Sequence, residues 1–186
     1  MNNKFVASII IVLATTCFCF GQSNKPEQTY KLLATTKTST MQKELNQSSA
    51  QGYRVLVGAR TRGSEMVLFL SRDASAANPY RYKLLATSRT RTMQKELDEV
   101  SANGYRLIPS TMLAKKQLFG GEEIVMILER PPKVKKMYKY LLLATTRTST
   151  LQKEVSEATS NGFVVVGMVS RDEHMVVMER EIEVNP

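Results

Sequence analysis

The 186-residue sequence predicts an α+β chain of three tandem β-α-β-β repeats, each a small three-stranded sheet with one helix, packed into one mutually dependent unit. Three observations predict it. One segment is written three times, from Tyr30 to Leu45, from Tyr82 to Leu97 and from Tyr140 to Val155; internal self-similarity of this kind marks a repeat architecture. Each copy then runs through a polar stretch to a Gly-aromatic pair (Gly52-Tyr53, Gly104-Tyr105, Gly162-Phe163) and closes on an apolar run ending at Arg72, Arg130 and Arg180. Finally, apolar residues fall on both faces of the strands, so each sheet needs a second layer beyond its own helix.

The elements follow in order within a repeat. Tyr30 to Thr36 reads as a strand from its apolar content and β-branched end. Met41, Leu45, Ser48 and Ser49 fall at i, i+4, i+7 and i+8, one face of a helix, and Met93, Leu97, Val100 and Ser101 repeat the pattern, as do Leu151, Val155, Ala158 and Thr159. Thr40, Thr92 and Thr150 precede that face, where a hydroxyl is expected to cap free amides. Gly52, Gly104 and Gly162 stand where a helix ends in a left-handed residue. Two further apolar runs make a hairpin. Alternation groups Tyr30, Leu32 and Ala34 with Tyr53, Val55 and Val57 on one face, and Leu33, Leu56, Val67 and Phe69 on the other. The repeats are bounded at 28–73, 80–131 and 138–182, joined by connectors 74–79 and 131–137. A unit this small buries too little surface to be stable alone.

Residues 1–21 read as a cleavable signal peptide: Lys4 supplies the positive start, Phe5 to Phe20 an uncharged apolar run, and Gly21 a small residue for cleavage. That run is shorter than a membrane span, and no second one follows. A secreted or periplasmic protein without a stable membrane span is expected, with an uncleaved anchor as the alternative. Cys17 lacks the flanking residues of a lipoprotein site. Cys17 and Cys19 are the chain's two cysteines, so the processed protein has none and its stability comes from packing alone. If the protein is secreted from a glycosylating cell, Asn46-Gln47-Ser48 is an acceptor sequence.

With 42% hydrophobic and 23% charged residues, nine Gly and six Pro, the chain is neither disordered nor collagen-like. One His, and no Cys after processing, leave little for metal or nucleophile chemistry, and no phosphate loop or nucleophile elbow is present. The expectation is a protein that is not an enzyme, with no cofactor and no metal. His174 stands alone, and Glu44, Glu96 and Glu154 lie beside Lys on helix starts, where ion pairing is the simpler reading.

The Glu44-Leu45 helix, the Gly52-Tyr53-Arg54-Val55 turn into an apolar hairpin and the closing Arg72, with their equivalents in the other repeats, resemble a small bacterial domain-of-unknown-function family. The resemblance spans nearly all of residues 29–181. It departs in having Tyr or Phe where that family has Trp, and in the Thr-rich segment before the helix. It implies a β-α-β-β fold and no activity.

Two kinds of candidate site remain. Lys37, Thr38 and Thr40 recur as Arg89, Thr90 and Thr92 and as Arg147, Thr148 and Thr150. A cation flanked by hydroxyls before a helix N-terminus suits a phosphate, sulfate or carboxylate, and three such places favour an anionic polymer. A net charge of +9, or +8 once Lys4 is removed, agrees with this. The simpler reading is helix capping, kept alike by recent duplication. Repeat 2 carries the other candidate: Gly104 to Arg130 spans 26 positions, against 20 and 18 in repeats 1 and 3. Its extra residues include Lys115, Lys116, Leu118 and Phe119, suited to a protein partner or to packing on a neighbouring repeat. Pairing between sheet edges of a homo-oligomer is a further route. Nucleic acid is not expected, since export removes the chain from it and no Trp or aromatic platform is present.

Overall fold

The computed structural model describes residues 28–61, 63–73, 79–117 and 121–183; residues 1–21, read above as a signal peptide, and Leu118 and Phe119 lie outside them. Repeat 1 contains β1 (Tyr30–Thr35), α1 (Thr38–Ala50), β2 (Tyr53–Arg60) and β3 (Met66–Arg72). Repeat 2 contains β4 (Arg81–Thr87), α2 (Thr90–Ser101), β5 (Arg106–Leu107), β6 (Leu113–Lys116) and β7 (Glu122–Arg130), with a 3-10 turn, Pro109–Thr111, between β5 and β6. Repeat 3 contains β8 (Met137–Thr145), α3 (Thr148–Ser160), β9 (Val164–Ser170) and β10 (His174–Ile182). In every repeat the last strand is central and pairs antiparallel with the others, in the orders β1-β3-β2, β4-β7-β5 and β8-β10-β9, with β6 also on β7.

Repeat 2 departs from the expected three strands because its second strand is broken. β2 carries one bulge residue, Leu56, between Val55 opposite Leu70 and Val57 opposite Phe69, and β9 carries Val166 in the same way. In repeat 2 the five residues 108–112 occupy this region, including Pro109, which has no N–H for a ladder. Thr111 restores the lost pairing by accepting from the Ile127 N–H at 3.2 Å through its hydroxyl.

The helices begin earlier than the sequence suggests. Lys37, Arg89 and Arg147 are the N-cap residues, and none of their side chains caps. Instead Thr35, Thr87 and Thr145 each accept the backbone N–H of the cation two residues on, at 3.1–3.2 Å. This short hydroxyl turn ends the strand and fixes the chain for the helix. Thr40, Thr92 and Thr150 therefore sit inside the first turn and are not caps. At the other end Gly52, Gly104 and Gly162 take φ of +82°, +80° and +81°, the left-handed conformation that glycine adopts without strain.

The face assignment of the second and third strands also needs correcting: Val67 and Phe69 share a face with Leu32 and Ala34, not with Leu33. Val55 stands opposite Leu70, and Leu70 opposite Lys31, so Tyr53 and Val55 share a face with Leu33 rather than with Tyr30. This face carries the helix: Leu33, Leu68 and Leu70 pack with Met41 and Leu45 of α1. The outer face carries Tyr30, Leu32, Val57 and Phe69.

The repeats stack in one direction. The outer face of repeat 2, with Tyr82, Val125 and Ile127, closes onto the helix-bearing core of repeat 1. Likewise Tyr140, Leu142, Met175 and Val177 of repeat 3 close onto Met93, Leu97 and Leu128 of repeat 2. Among the described residues the helix-bearing core of repeat 3 receives no further layer, and only Ala158, Val176 and Met178 are buried there.

Candidate functional site

The same contact joins repeat 1 to repeat 2 and repeat 2 to repeat 3. Gln42 of α1 reaches the outer edge of β4, donating to the Tyr82 carbonyl at 3.0 Å and accepting from the Leu84 N–H at 2.7 Å. Gln94 of α2 does the same on β8, with the Tyr140 carbonyl at 3.0 Å and the Leu142 N–H at 2.8 Å. A side-chain amide thus pairs with a strand edge as another strand would.

Beside each amide a tyrosine and an ion pair lock the join. The Val55 N–H donates to the Tyr82 hydroxyl at 3.1 Å, and the Leu107 N–H to the Tyr140 hydroxyl at 2.8 Å. Arg54 forks onto Glu129 at 2.5 and 3.1 Å and lies over the Tyr80 ring; Arg106 forks onto Glu179 at 2.8 and 3.2 Å and lies over the Tyr138 ring. Two-pronged Arg–carboxylate pairs with an aromatic platform are strong and direction-specific. The bonded carboxylates push both guanidinium groups further toward the charged form, and burial pushes the Tyr82 and Tyr140 hydroxyls well above the ordinary tyrosine range.

Both ends of the stack present this contact unmade. Gln152, the third glutamine of the series, is exposed and, among the described residues, bonds only within its own helix, to Ser156. Tyr30 is 57% exposed, where Tyr82 and Tyr140 are 3%. Phe69 is 47% exposed against 1% for Ile127 and 0% for Val177. On the helix-bearing side of repeat 3, Val165 is 52% exposed, where Val55 is 5% and Leu107 3%. Every large exposed apolar residue among those described belongs to repeat 1 or repeat 3.

The helix-start residues lie on the surface without converging on a common site. Lys37, Arg89 and Arg147 are exposed, Thr38 and Thr90 half-buried and Thr148 exposed. The three places are not equivalent. At α2 the Thr90 hydroxyl already bonds the Glu173 carboxylate at 3.0 Å, and Arg171 holds Glu173 at 2.8 Å, so the chain supplies its own anion there. Those two bonds keep the Glu173 carboxyl below its ordinary range, Arg171 having the larger effect.

The long hairpin of repeat 2 extends two residue pairs beyond its counterpart, Lys115 opposite Glu123 and Lys116 opposite Glu122. It lies between its neighbours. Lys115 is buried, paired with Glu123 at 2.6 Å and donating to the Thr36 carbonyl of repeat 1. Glu122 pairs with Arg60 of repeat 1, and its carbonyl lies 3.4 Å from Arg171 of repeat 3. Lys116 is exposed.

A shallow open cleft of about 650 Å³, lined by Arg81, Lys83, Arg130, Asn103 and Tyr105 among others, has no carboxylate among the described residues of its wall. Nothing in the motif pattern pointed to it, because it forms between the end of α2, β4 and the connector to repeat 3. His174 contacts the Ser170 hydroxyl at 3.2 Å. Among the described residues no three His, Cys, Asp or Glu side chains are grouped to hold a metal, and no helix is long and apolar enough to cross a membrane.

Compared with family models, curated proteins and solved structures, the chain matches none.

Proposed function

We propose that the protein is an exported, non-enzymatic interaction module that works through the two end faces of its stack. What supports this reading is the contrast between internal and terminal copies of one contact: Tyr82, Ile127 and Leu107 are buried, while their equivalents Tyr30, Phe69 and Val165 lie open to solvent. Single exposed apolar residues are ordinary, but a contiguous apolar sheet face on a folded chain marks a contact surface. Repeat proteins that act alone end in polar faces for solubility. Export rests on the reading of residues 1–21. The test is hydroxyl-radical footprinting of the protein in its native extract and after dilution in pure form. Protection of Tyr30, Phe69 and Met168 in the extract supports the reading; equal oxidation in both samples contradicts it.

A second reading, binding of an anionic polymer, is favoured by the carboxylate-free cleft of Arg81, Lys83 and Arg130. Under it the helix starts with Lys37 and Arg147 are auxiliary contacts, and that with Arg89 contributes least because Glu173 already occupies Thr90. Salt-sensitive binding to sulfated polysaccharide that is lost in Arg81→Ala, Lys83→Ala but kept in Phe69→Glu distinguishes it from the first.

A further inference from the structure

We infer that the occupant of these end faces is a second copy of this chain, with the outer face of repeat 1 in one molecule seated on the helix-bearing face of repeat 3 in the next. This inference rests on the end-face reading above and names its partner. The contact is one the chain already makes twice, in the same direction, between its own repeats.

The two halves that remain carry matching parts. Gln152 stands at the place of Gln42 and Gln94 in the repeated segment, exposed and without a strand edge to hold. Tyr30 and Leu32 stand at the places of Tyr82 and Leu84, whose carbonyl and N–H receive Gln42. In a head-to-tail pair, the Gln152 amide meets the Tyr30 carbonyl and the Leu32 N–H of the next copy. The Tyr30 hydroxyl then accepts from the Val165 N–H, as Tyr82 and Tyr140 accept from Val55 and Leu107.

The places where the ends differ from the internal joins differ on both sides at once. Each internal join pairs an arginine, Arg54 or Arg106, with a glutamate, Glu129 or Glu179. At the open end of repeat 3 the arginine position is Val164, and at the open end of repeat 1 the glutamate position is Ser71. A join between these ends buries no lone charge, whereas losing only one partner leaves a costly unpaired ion. Shape follows the same rule. Gly58 of repeat 1 is small because the inserted turn of repeat 2 crosses it: a Cβ there would lie 3.3 Å from the Thr111 Cα. Repeat 3 has Met168 at that register position, opposite Val176 as Gly58 is opposite Leu68. The incoming repeat 1 has no inserted turn, so the larger side chain fills the space. Val164, Val165 and Met168 are all exposed in the single chain, which does not suit a polar cap.

Such a contact is heterologous: it uses different surfaces on the two partners and so propagates into a ring or a filament. The test is sedimentation of purified protein from low micromolar to several hundred micromolar, with Leu32→Glu and Val165→Glu variants, each checked for an unchanged melting temperature. The wild type is expected to at least double its mass as concentration rises. Each variant alone remains monomeric, since it has lost one half of the join. An equimolar mixture of the two forms a one-to-one dimer through the intact halves. Dimers in either variant alone overturn the head-to-tail arrangement, and a monomeric wild type throughout overturns self-association. In that last case an apolar dye, bis-ANS, separates the two proposals. Binding that falls several-fold in both variants leaves the end-face reading standing with another partner, and absence of binding removes both.

Discussion

Gln42 and Leu84 are bonded as neighbours in a sheet, although one sits in a helix and the other in the next repeat: the Leu84 N–H donates to the Gln42 Oε1 at 2.7 Å while Gln42 returns a bond to the Tyr82 carbonyl. The exposed edge of β4 is thereby closed by a side chain. Gln42→Ala leaves a strand N–H and carbonyl without their partner at the join, at a cost of about 1–3 kcal/mol. In a protein of this size that lowers the melting point by several degrees. Gln94→Ala does the same. Gln152→Ala leaves the dilute protein unchanged, because its amide holds no strand. Thermal unfolding of the three variants side by side checks the difference.

Arg106→Ala strips the partner from Glu179, which is buried against Tyr140. An uncompensated buried carboxylate costs on the order of 3 kcal/mol. Arg106→Ala with Glu179→Gln recovers much of that loss, since the amide keeps a group for the Tyr140 hydroxyl without the charge. Urea unfolding of the single and double variants measures the coupling.

Alkaline pH separates the joins from the rest of the surface. Tyr82 and Tyr140 have hydroxyls raised by burial above the ordinary range. Their contribution to stability is full below the unfolded tyrosine pKa of about 10 and is lost as pH rises beyond it, by about 1.4 kcal/mol per pH unit for each buried tyrosine. Tyr140→Phe is less stable at neutral pH because Leu107 loses its acceptor, yet its stability falls less steeply above pH 10. Denaturant unfolding at neutral and alkaline pH checks both signs.

Gly58 tests the crossing of the inserted turn. A Cβ there would stand 2.7 Å from the Leu68 side chain and 3.3 Å from the Thr111 backbone. Gly58→Val overpacks the join between repeats 1 and 2 and costs about 1–3 kcal/mol. Gly167→Ala costs less, because its nearest contact is the flexible end of Met112.

Much of this fold is legible in the sequence because the repeat writes its pattern three times. The helix face of Met41 and Leu45, the glycines that end each helix and the need for a second layer on each sheet all follow from spacing. Three features do not. Alternation within β1 and within β2 is plain, but their relative phase depends on register through β3, which places Tyr53 and Val55 with Leu33. Helix starts were displaced because Thr35, Thr87 and Thr145 form their turn with the following cation, a competition that propensity does not resolve. The Gln42 and Gln94 latches leave no mark in the local spacing, since their partners lie 40 or more positions away. The positions of Ser71 and Val164 carry a visible signal once the repeats are aligned: Ser71 stands where the other two have Glu129 and Glu179, and Val164 where they have Arg54 and Arg106.

The central claim is that the faces left open by Tyr30 and Leu32 and by Gln152 and Val165 are two halves of one contact. Amide hydrogen exchange read by mass spectrometry, at low and at high protein concentration, tests it most directly. The account predicts that segments around residues 30–35 and around 151–156 and 164–168 gain protection together as concentration rises, while 106–116 is unchanged. Equal exchange at all concentrations, or protection confined to one of the two ends, contradicts it.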